Sequence, residues 1–308
     1  MRDVIVVVQK GDHSLGYYDF ATGTELGRTP IDPFPHEFVL SSDRRFAYSC
    51  HFGVALAEDE GQGGNTISIV DLTAQRRVGT IDCGTWRRPH GVAFDGRGRL
   101  YVLSEGTSTL LVVNDPSSGQ PSTTMPTGGK GSHLVAVTAD GGKAFCSNMV
   151  SDTVTIVFPH DPSRPPIVVP VGRRPEGSVL DAEERHLYVV NRESAGISVI
   201  DAQTLTLART IPTPPGPVRI CLDDAGTLLV PFYHRKAIGR FNPDGTCRAL
   251  VDVPGAPISI AFHAPSRTAL ASLHGDMVVL VDLDRFRIRS TVATRRDPDP
   301  LNVVPLAL

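Results

Sequence analysis

The sequence predicts an all-β fold, a seven-bladed β-propeller in which four-stranded antiparallel blades surround a central axis. Two observations predict it. A unit of about 43 residues recurs along the chain, and self-similarity at such a period indicates a repeat architecture. The apolar segments of each unit are short, rich in β-branched residues and bounded by turn residues, which is typical of strands. We therefore expect residues 1–308 to form a single domain.

The repeat is clearest in RPHGVAF-DGRGR-LYVLSEG-TSTLLVVND, residues 88 to 115. Similar units run from Arg174 to Asp201 and from Gly216 to Asn242. The first strands begin near positions 36, 90, 133, 176, 218, 258 and 301, with one long spacing of 54 residues that the segment AEDEGQGG (57–64) explains as an insertion. Each unit is thus expected to be a four-stranded meander, and there are seven of them.

The two ends of the chain are expected to complete one blade together. The sequence starts with a second strand, Val4 to Gln9, and finishes with a first strand, Asn302 to Leu308. Blade 1 should therefore combine residues 1–31 with residues 297–308. Closing the ring in this way leaves only short, protected sheet edges.

The amino-acid composition excludes several classes of protein. The chain is 41% hydrophobic and 20% charged with a formal net charge of -3, which excludes a strongly basic nucleic-acid-binding protein. Its apolar runs are far shorter than the ~20 residues of a spanning helix, and the N-terminus lacks signal-peptide features. The five cysteines form no C-x-x-C pair. We expect a cytoplasmic protein with free thiols that binds a small molecule, with no membrane, nucleic-acid or obligate protein partner.

One segment carries a family resemblance. Tyr188-Val189-Val190-Asn191, followed by GISVID at 196–201, resembles the YVTN repeat, and Leu100 to Ser104 is a weaker copy. The chain is similar to the YVTN-repeat, lactonase-like superfamily of seven-bladed β-propellers. The resemblance implies the fold and no particular reaction, because propellers host unrelated functions.

In such a propeller the innermost strands begin beside the channel at the top face. The residues that follow a Pro or Ser at these starts are His36, His90, His133, Glu176, Val218, Ile258 and Leu301. His36, His90, His133 and Glu176 are predicted to hold a divalent transition metal, with Fe(II) the first choice and Mn, Cu, Ni or Zn also compatible with these ligands. Val218, Ile258 and Leu301 would form an apolar wall for an organic substrate.

Loops on the same face supply further candidates. Tyr233, His274 and His51 could act as acids or bases, while Arg88, Arg174 and Arg192 could hold an anionic group. Glu105 and Glu193 could orient the histidines. The insertion 57–64 is placed to act as a lid or to be a mobile loop without a role.

These features leave three functional hypotheses. The first is a metal-dependent enzyme with oxygenase-type or lyase/isomerase-type chemistry, in partial resemblance to the carotenoid-cleaving oxygenases and streptogramin-cleaving lyases, which are also propellers. The second is a noncatalytic protein-interaction propeller, although only 6% of the residues are aromatic. The third is a metal-independent sugar-lactonase-like hydrolase that would use its arginines to hold the substrate.

Overall fold

The computed structural model describes residues 1–308 and contains seven four-stranded antiparallel sheets, which confirms the predicted seven-bladed β-propeller. Blade 1 contains β1 (Arg2–Gln9), β2 (Ser14–Asp19) and β3 (Glu25–Pro30), and blade 2 contains β4 (Pro35–Leu40), β5 (Phe46–His51), β6 (Thr66–Asp71) and β7 (Arg76–Asp82). Blade 3 contains β8 (Pro89–Phe94), β9 (Leu100–Ser104), β10 (Thr109–Val113) and β11 (Thr123–Pro126), and blade 4 contains β12 (Ser132–Val137), β13 (Ala144–Asn148), β14 (Thr153–Val157) and β15 (Ile167–Pro170).

The remaining blades follow the same plan. Blade 5 contains β16 (Pro175–Leu180), β17 (His186–Asn191), β18 (Gly196–Asp201) and β19 (Thr206–Pro212). Blade 6 contains β20 (Cys221–Leu222), β21 (Leu228–Phe232), β22 (Ala237–Phe241) and β23 (Cys247–Asp252). Blade 7 contains β24 (Ala261–His263), β25 (Thr268–Leu273), β26 (Met277–Asp282) and β27 (Arg287–Ala293), and β28 (Pro298–Leu306) is the innermost strand of blade 1.

Helical structure is limited to three short 3-10 helices, Lys10–Asp12, Pro116–Ser118 and Ala264–Ser266. None of the helices has the length and apolarity required to cross a membrane. All five cysteines are free thiols, as the sequence predicts.

The ring closes as expected. Strand β28 pairs antiparallel with β1, and Val304 lies opposite Val4 in this register. One apolar cluster fills each of the seven interfaces between neighbouring blades. The core is therefore a circle of equivalent layers, and this leaves the central axis free for polar side chains.

A β-bulge interrupts the inner strand of blades 2 to 5 where each strand begins. In blade 2, Pro35 lies opposite His51 but Phe38 already lies opposite Ser49, so His36 and Glu37 share one position of the partner strand. The same irregularity occurs in blades 3, 4 and 5. Bulges redirect side chains, and His36 is thereby turned out of the sheet toward the top of the channel.

Candidate functional site

A cavity of about 470 Å³ lies at the top of the central channel. Its size falls within the ~300–1,000 Å³ typical of small-molecule sites. It is lined by these predicted site residues: His36, His90, His133, Arg174, Glu176, Arg192, Glu193, Val218, Tyr233, Ile258 and His274. The structure therefore brings eleven of the fifteen predicted residues together and leaves His51, Arg88, Glu105 and Leu301 outside the lining.

The structure corrects the prediction that Leu301 forms part of the apolar wall of the cavity. Pro298 lies opposite Gln9 and Leu301 opposite Val7, so Asp299 occupies the bulge that corresponds to His36 in blade 2. Leu301 packs instead in the apolar core between blades 7 and 1. The set of side chains that we call the axial ring, in blade order, is Asp299, His36, His90, His133, Glu176, Val218 and Ile258.

His36 and His90 form a hydrogen-bonded pair. His36 Nε2 lies 3.2 Å from the carbonyl oxygen of Val54, and His36 Nδ1 lies 3.2 Å from His90 Nε2. Because a carbonyl only accepts, His36 donates through Nε2 and accepts through Nδ1, so His90 donates through Nε2. His90 Nδ1 is then a buried acceptor without a partner. Burial, with a contribution from nearby Lys10, lowers the pKa of His36 to about 3, and burial lowers the pKa of His90 well below its usual value, so both rings are neutral at pH 7.

His133 has a different arrangement. Its Nδ1 lies 2.6 Å from Glu105 Oε2, the contact expected of an orienting carboxylate. The ring packs on His90 with centroids 3.8 Å apart. Nε2 of His133 has no hydrogen-bond partner in the protein, and the residue lines the cavity. With Nδ1–H donated to Glu105, the Nε2 lone pair is available to a ligand.

Glu176 is surrounded by three guanidinium groups. Its Oε1 accepts hydrogen bonds from Arg174 Nε and Arg192 Nη1, each at 3.1 Å, and Oε2 lies 3.5 Å from Arg219 Nη1. Burial alone would raise the pKa of the Glu176 carboxyl, but electrostatic interactions with His133, Arg219 and Arg192 outweigh it and lower that pKa. Glu176 is therefore a carboxylate that neutralises arginines.

The predicted site residues do not include three charged side chains of this cavity, Lys10, Arg219 and Asp299. Lys10 Nζ forms an ion pair with Asp299 at 2.8 Å, and Arg219 Nη2 with Glu37 at 2.7 Å. Asp299 could have been found, because it follows Pro298 as His36 follows Pro35. No sequence pattern marks Arg219, because Arg219 belongs to blade 6 and its partner Glu37 belongs to blade 2, across the channel.

The rim residues divide into two groups. Tyr233 and His274 line the cavity with ring centroids 5.5 Å apart, and the Arg192 guanidinium lies 4.7 Å from the Tyr233 ring centroid. His51, which was predicted at the rim of the site, lies outside the cavity lining instead, and its Nδ1 contacts Thr66 Oγ1 at 3.1 Å. Glu193 lies at the exposed edge, 3.9 Å from Arg174.

Arg88 also differs from the prediction. Its guanidinium donates to the carbonyl oxygens of Ala57, Asp59 and Gly61 at 2.6–2.8 Å, so it holds the insertion rather than a substrate. Ala57 and Glu58 of the insertion line the cavity together with the preceding Leu56, and Glu58 pairs with Arg174. The segment thus covers part of the cavity, as a lid would.

The predicted set of four metal ligands does not fit this arrangement. Both oxygens of Glu176 face arginines, and both ring nitrogens of His36 already have partners. The His, Cys, Asp and Glu side chains that converge within 4.8 Å are instead His90, Glu105 and His133. Two of the four predicted ligands are therefore already engaged by other groups of the protein.

Comparisons with known proteins identify similar structures. No protein-family model matches the sequence, and no curated protein does. The periplasmic gluconolactonase of Pseudomonas aeruginosa matches with a TM-score of 0.80 at 16% identity over 99% of both chains. A protein proposed to be a 6-phosphogluconolactonase from Bacteroides fragilis matches with a TM-score of 0.76 at 13% identity, over 99% of this chain and 98% of that one. Another proposed 6-phosphogluconolactonase, from Bacteroides uniformis, gives 0.78 at 15% identity over 99% of this chain and 100% of that one.

These matches confirm the lactonase-like seven-bladed propeller fold and correct the leading functional hypothesis. A metal-dependent oxygenase, lyase or isomerase is the wrong interpretation, because the similar structures are described as lactonases, which are hydrolases. The alternative of a metal-independent sugar-lactonase-like hydrolase fits them better. The cytoplasmic location stays a prediction.

Proposed function

We propose that the protein is an enzyme that hydrolyses a lactone, a small cyclic ester, in the cavity at the top of the channel. The observation that carries this proposal is the Glu105–His133 pair, in which Glu105 holds Nδ1 and leaves Nε2 of the cavity-lining imidazole without a protein partner. The likeness to lactonase propellers supports the same reaction class.

The chemistry needs one base and one water. His133 Nε2 takes a proton from water as the water oxygen attacks the lactone carbonyl carbon, and Glu105 stabilises the imidazolium that forms. The tetrahedral oxyanion collapses and the ring C–O bond breaks. The imidazolium then returns its proton to the leaving alkoxide, so one water is consumed and a hydroxy acid is released.

Hydrogen-bond donors for the oxyanion come from charged side chains of the cavity. Arg174 and Arg192 extend from blade 5, next to His133 in blade 4, and Lys10 lies on blade 1. Preorganised donors of this kind act strongly where water is excluded. We therefore propose a metal-independent mechanism.

The test is an assay of glucono-1,5-lactone hydrolysis. The rate of acid release is measured and compared with the spontaneous rate. We expect catalysis by the EDTA-treated wild-type protein, and a loss of about 10²- to 10⁴-fold in kcat for His133→Gln. Glu183→Gln, at an exposed ion pair with Arg185, serves as the matched control and should keep wild-type rates. No rate above background in the wild type, or a His133→Gln variant as active as the wild type, would refute the proposal.

A further inference from the structure

We infer that the lactone is an uncharged, polyhydroxylated molecule rather than a phosphorylated one, and that Glu176 sets this selectivity. The inference rests on the proposed hydrolase function. The cationic and anionic side chains of the cavity wall are equal in number. The cations that line it are Lys10, Arg174, Arg192 and Arg219, and the carboxylates are Glu58, Glu176, Glu193 and Asp299.

Each of these cations already has a carboxylate partner. Lys10 pairs with Asp299 at 2.8 Å, and Arg219 pairs with Glu37 at 2.7 Å. Arg174 and Arg192 share Glu176. A phosphate dianion would have to replace these carboxylates or lie beside them, and like charges placed together in a desolvated site repel strongly.

Alternating donors and acceptors suit hydroxyl groups. A hydroxyl donates to a carboxylate and accepts from a guanidinium at the same time, so a pair such as Arg174–Glu176 offers it both partners. The apolar part of the wall, Val218 and Ile258, is placed against the C–H face of a sugar-like ring, beside the Tyr233 ring. An uncharged polyol lactone satisfies both surfaces without disturbing an ion pair.

Glu176 is the residue on which this balance depends. It is 4% exposed and contacts three arginines, whereas Asp299 pairs separately with Lys10. Replacement by the isosteric Gln keeps the shape and removes one negative charge. The cavity then carries a net positive charge close to Arg174, Arg192 and Arg219, which favours an anionic substrate.

The experiment compares kcat/KM for glucono-1,5-lactone and its 6-phosphate. We expect the wild type to prefer the uncharged lactone by about tenfold or more, and Glu176→Gln to shift the ratio toward the phosphate by about tenfold or more. Glu183→Gln should leave the ratio unchanged, since it lies on an exposed pair with Arg185. A wild-type enzyme that prefers the phosphorylated lactone would overturn the inference, whatever the variant does.

Calorimetry separates this inference from the hydrolase proposal. The probes are the corresponding gluconolactam and its 6-phosphate, which are not hydrolysed. Tighter binding of the uncharged lactam by the wild type supports the selectivity even if no lactone is turned over, which would refute only the hydrolase proposal. Tighter binding of the phosphorylated lactam, or binding of neither, overturns the selectivity. If Glu176→Gln does not fold, Glu58→Gln, in the exposed insertion, tests the same charge balance.

Discussion

At the scale of single residues, Glu105 is expected to act through His133. The variant Glu105→Gln keeps an oxygen that can accept from His133 Nδ1 but removes the charge that stabilises the imidazolium. We expect kcat for lactone hydrolysis to fall about 10- to 100-fold, while KM stays within about twofold. Steady-state kinetics measure both constants. A change confined to KM would show that Glu105 acts on substrate binding instead.

His36 is expected to make the protein sensitive to acid. Its native pKa of about 3 lies below the ~6.5 of an unfolded histidine, so the unfolded chain binds a proton first. Stability is therefore complete above about pH 6.5 and is lost as the pH falls toward 3. At pH 5 this single group should lower the free energy of unfolding by about 2 kcal/mol.

Urea unfolding at pH 7.5 and pH 5 measures this loss. Both values lie above the range in which Glu176 and Asp299, whose pKa values are lowered, take up protons. The variant His36→Asn should show a smaller drop than the wild type, and His160→Asn, at an exposed turn, should not differ from it. Equal pH dependence in His36→Asn and the wild type would contradict the assignment.

The sequence predicts most of the axial ring and fails at identifiable residues. A residue that follows Pro at the start of an inner strand is recognisable, which places His36, His90 and Glu176 correctly. Blade 1 has two prolines, Pro298 and Pro300, and only the bulge decides that Asp299 rather than Leu301 faces the channel. A shift of this kind moves a side chain from the cavity to the core.

At the scale of elements, the insertion 57–64 shows what local sequence can and cannot predict. Its place in the loop between β5 and β6 follows from the 54-residue spacing, since the other units lack the extra residues. Its contact with Arg88 does not follow, because three carbonyl oxygens converge on one guanidinium only when the loop is folded. The resemblance in 188–201 likewise predicted a blade but no site residue.

Arg88→Ala should release this insertion from the body of the protein. The loss of three hydrogen bonds leaves residues 57–63 held to the body of the protein by the Glu58–Arg174 pair, while Gly64 keeps its backbone hydrogen bonds with Phe52 and residue 88. We expect limited proteolysis after Glu58 and Glu60 to be about tenfold faster than in the wild type, because a protease cleaves the segment only when it opens locally. Arg87→Ala is the matched control, because the Arg87 guanidinium does not bind these carbonyls. Unchanged cleavage in Arg88→Ala would show that other contacts fix the segment.

At the scale of the whole molecule, the fold is a ring in which each blade packs its core only on its two neighbours. Periodicity therefore predicts the architecture well, because every interface repeats one pattern of apolar strands. The axis is different. Charged groups from separate blades meet there, and their pairing depends on the diameter and closure of the ring rather than on any local pattern.

The Arg219–Glu37 pair joins blade 6 to blade 2 across this axis. Arg219 is also close to Glu176 and Asp299, and these carboxylates together raise its pKa above the usual arginine value despite burial. Removing one partner of a buried ion pair leaves its charges uncompensated, which costs about 3–5 kcal/mol. Arg219→Met leaves Glu37 without its cation and removes one positive charge beside Glu176 and Asp299, whereas Glu37→Gln leaves Arg219 close to both of those carboxylates.

We therefore expect Arg219→Met to lower the Tm by about 6–10 °C, and Glu37→Gln to lower it clearly less. Thermal unfolding followed by circular dichroism at pH 7.5 measures both variants. Arg267→Met is the matched control, because Arg267 also contacts two carboxylates, Asp224 and Asp284, but lies on the surface where water already screens the charges. If the axial and surface substitutions lower the Tm equally, the axis contributes no special stability, and the ring is held by its blade interfaces alone.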